Sequence, residues 1–227
     1  MSSARGVHAQ RSLTRVAMPI ICALALVSPV AALDVATADY QRAATEGRVG
    51  VVVGRASEEA RHRNAADTPL SGFSVTLVPH SGDFLARLRA IAHRGRTDPA
   101  AYALTAPTIV AARKDYERAL AEAGALELVK SGAVGADGRF EIRDVPAGEW
   151  LLVALRPVFV ARPSPPERKP REKQVFTPQP RISGYYAVTV WLREVSVTAG
   201  RETVVPLTDR TSWMTAIEEK PVPGAGR

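Results

Sequence analysis

The sequence predicts a mainly β chain, an antiparallel sandwich interrupted by an inserted α-helical hairpin. Three observations lead there. Short alternating or β-branched runs recur from Gly47 to Asp209, each bounded by turn residues. The hydrophobic period becomes helical only between residues 83 and 124. The single cysteine, Cys22, lies in an N-terminal apolar run, so the body of the chain has no disulfide and no thiolate metal ligand and must be held by its core.

The 227 residues suit one ordinary domain with a decoration. A composition of 46% hydrophobic and 23% charged residues excludes wholesale disorder and a polytopic membrane protein. At the N-terminus, Arg5, Arg11 and Arg15 precede the apolar run 17–33, and small residues follow it. That is the pattern of a secretory signal peptide over residues 1–38, cut at Ala32 or at Ala36-Thr37-Ala38. An uncleaved anchor is the alternative, since the run is at the short limit for spanning a bilayer. Export predicts a periplasmic or extracellular protein.

The body, expected over residues 39–218, opens with strands at 47–56 and 73–79. Phe73, Val75 and Leu77 alternate with Ser74, Thr76 and Val78. Helical spacing follows in Phe84, Leu85, Leu88, Ile91 and Ala92, with Asp83 as the expected cap and Gly95 as the expected stop. Asp98-Pro99 signals a second start, and after Pro107 a further run places Ile109, Ala112, Tyr116 and Leu120 on one face, ending at Gly124. Strands resume at 126–134. Asp137-Gly138 suits a tight turn, Phe140 and Ile142 share one strand face, and Pro146-Ala147-Gly148 turns again. Residues 150–161 are apolar on both parities, which predicts a strand buried on both faces. Six prolines in residues 162–181 predict a long loop. The last two strands are expected at 185–197, with a bulge or break near Arg193-Glu194, and at 201–209; residues 219–227 form a flexible tail.

Pro69-Leu70-Ser71-Gly72, Asp137-Gly138-Arg139-Phe140 and Pro146-Ala147-Gly148-Glu149-Trp150 come in this order with strands between them. In that arrangement the chain resembles the carboxypeptidase regulatory-like domain. The resemblance implies a seven-stranded immunoglobulin-like or transthyretin-like sandwich, and a non-catalytic accessory role in protein contacts or, in related sandwiches, carbohydrate binding. The long helical insertion and the proline-rich loop depart from that pattern, and a distinctive function is expected at such departures.

The sequence carries no nucleophile elbow, P-loop or dinucleotide fingerprint, and neither a cofactor nor a catalytic residue is expected. His62, His80 and His93 lack the spacing of a metal site. Asp137 and Glu141 are read as a turn residue and an outward strand residue. Seven cations against two acids in residues 156–181, among them Arg168, Lys169, Arg171 and Lys173, give a basic loop. It could hold an anionic or polysaccharide polymer, though a solvated loop that binds nothing is the plainer reading; nucleic acid is not an expected partner for an exported chain. Trp150 is assigned to the core. Trp191, opposite in parity to Tyr186, Val188 and Val190, is either a sugar platform with Tyr185 or a residue covered by the inserted helices, and the cover is favoured. The expected function is a binding or structural module that contacts an envelope protein. Carbohydrate recognition and a hydrolase site between helices and sheet are the alternatives.

Overall fold

A computed structural model describes residues 33–62, 65–161 and 184–218. The expected basic loop, with Arg168, Lys169, Arg171 and Lys173, and the tail 219–227 lie outside those residues.

Valine-rich β1 (Val49–Glu58) centres the first sheet. It pairs antiparallel with β5 (Arg139–Pro146) on one side and parallel with β8 (Glu202–Thr208) on the other, and the two-residue β2 (Thr68–Pro69) joins its end. The second sheet is antiparallel throughout. Its order is β4 (Lys130–Ala133), β3 (Ser74–Pro79), β6 (Gly148–Ala161), β7 (Gly184–Val197) and β9 (Met214–Glu218). The sandwich is therefore as expected in class. It differs from the expectation in the parallel β1–β8 pair and in β2 and β9, two short strands beyond the seven.

Three helices accompany the sheets: α1 (Thr37–Thr45), α2 (Gly82–Thr97) and α3 (Pro99–Glu122). The last two form the insertion. The α2 cap is Ser81, whose Oγ accepts from the Phe84 amide, rather than Asp83. Gly95 does not end the helix. It is buried against Thr105 of α3, and its missing side chain lets the two helices touch. Asp98 makes the corner by accepting from the Ala100 amide, and Pro99 follows at the first helical position. Pro107 was expected to precede a fresh start, yet α3 runs through it, so tertiary packing offsets a local cost of about 3 kcal/mol. Gly124, at φ +68°, ends α3: its amide bonds Ala121 O while the Ala125 amide bonds Leu120 O.

The strand registers fix which side chains meet which layer. Trp150, Leu152 and Ala154 of β6 stand opposite Val195, Arg193 and Trp191 of β7, on the face turned to the first sheet. Thr76, Val78, Leu151, Val153, Val188, Val190 and Glu194 occupy the other face, where Arg113 of α3 bonds Thr76 and Arg89 of α2 bonds Glu194. Phe84, Leu85 and Leu88 from α2, with Ile109, Ala112, Tyr116 and Leu120 from α3, are buried there. The layers thus run first sheet, second sheet, helices.

That order explains two departures in the long strands. β7 pairs with β6 without a register shift from Val197 to Gly184, so no bulge occurs at Arg193-Glu194. The apolar parity changes along β7 because the helices cover Val188 and Val190 while the first sheet covers Trp191, Val195 and Val197. The bulge lies instead in β1, between Gly50 and Val52. β6 is buried on both faces only over Trp150–Ala154. Its pairing with β3 stops at Ala154, and beyond it β6 continues as an arm paired with β7 to Ala161 and Gly184, with β9 alongside β7 from Val190 to Tyr186. Pro157 is accommodated where β3 no longer needs its amide.

Candidate binding face

The helices cover the outer face of the second sheet. Among the described residues, nothing covers the outer face of the first. Strand alternation sends Val52, Ala56, Phe140, Ile142, Val205 and Leu207 inward, where all are buried. It sends Val53, Arg55, Arg139, Glu141, Glu202, Val204 and Pro206 outward, around a shallow trough of about 580 Å³. Val204 is 67% exposed, the largest exposure of any large hydrophobic side chain among the described residues.

Register orders this face along its length. Val53 stands beside Val204 on one side and Glu141 on the other, and Arg55 stands beside Pro206 and Arg139. Glu202 lies one step away, opposite Val51. The Val53–Val204 row therefore has the cations Arg55 and Arg139 on one side, in the row that also holds Pro206, and Glu202 on the other, with Glu141 closing the row on β5. Arg139 is held loosely by Asp137 at 3.7 Å. Glu141 accepts from Arg143 at 2.6 Å, and that bond raises the Arg143 pKa. Arg55 and Glu202 form no ion pair among the described residues, so one charge at each end is available to a partner. Pro206 also removes an amide from β8, which makes this strand a poor template for further strand pairing.

The side chains singled out from sequence fall elsewhere. Trp191 is fully buried between the two sheets: its ring stacks on Phe73 at 5.5 Å and its Nε1 donates to Thr208 O at 2.7 Å. Both expectations for it are corrected. It is no sugar platform, and its cover is the opposite sheet rather than the inserted helices, because its strand parity points away from them. Trp150 is core as expected, with its Nε1 bonded to Pro146 O and its ring edge-on to Tyr40 at 5.2 Å. Tyr185 is half-buried on the β6–β7 arm, next to Tyr186, which tilts against Phe159 at 5.4 Å. Phe159 is 52% exposed.

Several titratable groups at the helical layer are tied into the structure. His80 faces Glu194 at 3.5 Å, and Glu194 also takes Arg89, which ties α2 to β7. Asp34 accepts from the Ser81 hydroxyl and the Asp83 amide. Partial burial disfavours its charge, but those hydrogen bonds outweigh it and lower its pKa. Burial pushes the Tyr116 phenol far above its usual range, and its hydroxyl donates to Pro79 O at 3.0 Å. Among the described residues there is no group of three histidines, cysteines or acids that could hold a metal ion, and no helix is long and apolar enough to cross a membrane.

The candidate face left one trace in the sequence. Residues 51–53 and 204–207 are apolar on both parities, more than a half-buried strand requires.

No protein-family model and no curated protein matches the chain. Among solved structures it is similar to a proposed carbohydrate-binding protein from Pseudomonas aeruginosa, at 14% identity over 70% of this chain and 88% of that one, with a TM-score of 0.38. It is also similar to the pilus backbone of Streptococcus pneumoniae, at 14% identity over 68% of this chain and 40% of that one, with a TM-score of 0.23. Similarity at this level carries no functional inference.

Proposed function

We propose that the chain is a non-catalytic binding module of the cell envelope, of the kind implied by its resemblance to carboxypeptidase regulatory-like domains. It docks another protein on the outer face of the β5–β1–β8 sheet. The observation that carries this reading is the apolar patch of Val53, Val204 and Pro206, which no described residue covers, among unlike charges. An apolar centre inside a polar rim is the usual anatomy of a protein interface, and the charges fix the partner's direction. The seam between helices and sheet, where a hydrolase site was the alternative, is filled by Leu88, Ile109, Ala112, Leu151 and Val153, all buried. That filling supports the binding reading over the catalytic one.

Val204→Glu tests the docking face. Its side chain is exposed, so folding and thermal midpoint are expected to stay within the usual surface range. Binding to the envelope protein retained by the wild-type chain is expected to weaken tenfold or more, measured on immobilised protein, because a carboxylate would be forced into the apolar centre. Undiminished retention would contradict the reading.

Carbohydrate recognition keeps one supporting observation, the half-exposed Phe159 beside Tyr186 on the arm. It would be favoured if Phe159→Ala, and not Val204→Glu, abolished retention on an envelope polysaccharide.

A further inference from the structure

Two bonds satisfy the small-residue rule for removal of the N-terminal segment. One follows Val30-Ala31-Ala32 and the other follows Ala36-Thr37-Ala38. By sequence the second is the fuller match, with alanine at both critical positions. The structure separates them, because residues 33–38 are part of the fold.

Asp34 carries most of that distinction. Its carboxylate accepts from Ser81 Oγ, the cap of α2, and from the Asp83 amide in the first turn, so it extends the cap from outside the helix. Ser81 is buried and its hydroxyl donates to Asp34. Leu33 and Val35 pack against the core on either side of this contact. Ala36 then caps α1, whose Tyr40 bonds Glu149 O and whose Gln41 bonds Gly124 O and Glu127. A cut after Ala38 removes the Asp34 cap, the Leu33 and Val35 contacts and the start of α1, and leaves the Ser81 hydroxyl and the Asp83 amide without that acceptor. A cut after Ala32 removes none of these.

We infer that signal peptidase processes this chain at the Ala32–Leu33 bond, leaving Leu33-Asp34 as a structural N-terminus that locks α2 onto the sandwich. The peptidase adds water across that bond: the hydroxyl completes the Ala32 carboxyl and the proton goes to the Leu33 nitrogen, which becomes the new α-amino group. The inference rests on the export half of the proposed function and is independent of the docking face.

The test is N-terminal sequencing and intact mass of the full-length chain expressed in a bacterium with a periplasm, after fractionation. The expected periplasmic product begins at Leu33. Ala32→Leu is expected to block its formation, and Ala38→Leu to leave it unchanged. A periplasmic product beginning at Asp39 would overturn the bond assignment alone, whereas a chain that keeps Met1 in the cytosolic fraction would overturn the export premise as well. Asp34→Ala checks the structural half: the thermal midpoint of the purified product is expected to fall by about 2–4 °C, the scale of one lost cap in a domain of this size. An unchanged midpoint would show that Asp34 does not lock α2.

Discussion

Trp191→Ala is expected to destabilise the fold by about 3–5 kcal/mol, the range for removing a large aromatic from a packed core. The indole lies between the sheets, stacked on Phe73 and bonded to Thr208 O. Truncation leaves a cavity at the meeting of β7, β8 and the lead into β3, and a carbonyl without its donor. Since a domain of this kind holds only about 5–15 kcal/mol in all, the variant would lose a large share of its stability. Urea titration followed by tryptophan fluorescence and circular dichroism measures it. Trp191→Phe, which keeps most of the apolar area and loses the hydrogen bond, is expected to cost less than half as much. A fully stable Trp191→Ala protein that had lost polysaccharide retention would restore the sugar-platform role.

The second large effect is expected from one methyl group. Gly54 sits in the middle of β1, and a Cβ built there would overlap the carbonyl oxygen of Val205 on the adjacent strand and the ring of Phe140. The ring could shift, but the backbone oxygen is held by the strand pairing that defines the sheet. Gly54→Ala is therefore expected to cost about 3 kcal/mol or more, at the upper end for overpacking. Gly82→Ala is the control. There the nearest atom, a carboxylate oxygen of Asp34, is at 3.4 Å, and the position is helical, so the change is expected to be neutral or stabilising by about 0.5–1 kcal/mol. Equal effects at the two positions would contradict the packing described for β1.

These two residues also show what the sequence could convey. Turn chemistry was legible because it is local: Asp137-Gly138, Gly124 and the Asp98-Pro99 corner all serve as their types suggest. The helical stripe was legible because Ile109, Ala112, Tyr116 and Leu120 recur at the helix period. Trp191 was misplaced because alternation says only that two faces differ. β7 is covered by helices on one face and by a sheet on the other, so apolar residues appear on both parities and the pattern reads as a slip. β9 was missed because a five-residue edge strand carries little periodic signal of its own, and it is assigned by pairing with Tyr186–Val190. Gly54 looked like any strand glycine, since the close approach it permits comes from residues 86 and 151 positions later in the chain. The trace left by the candidate face was ambiguous for a related reason. Valines that are outward and valines that are inward look alike in β1 and β8, and only the positions of the two outer layers tell them apart.

The most direct test of the docking face is site-specific photo-crosslinking in living cells, with a benzophenone side chain placed at residue 204 in one strain and at residue 104 in another. Val204 lies in the centre of the outer face of the β5–β1–β8 sheet, and Leu104, 62% exposed, lies on the helical layer. A discrete protein adduct is expected from position 204, weakened by Arg55→Glu, and none from position 104. An adduct from position 104 with none from position 204 would place the interface on the insertion and contradict the docking face.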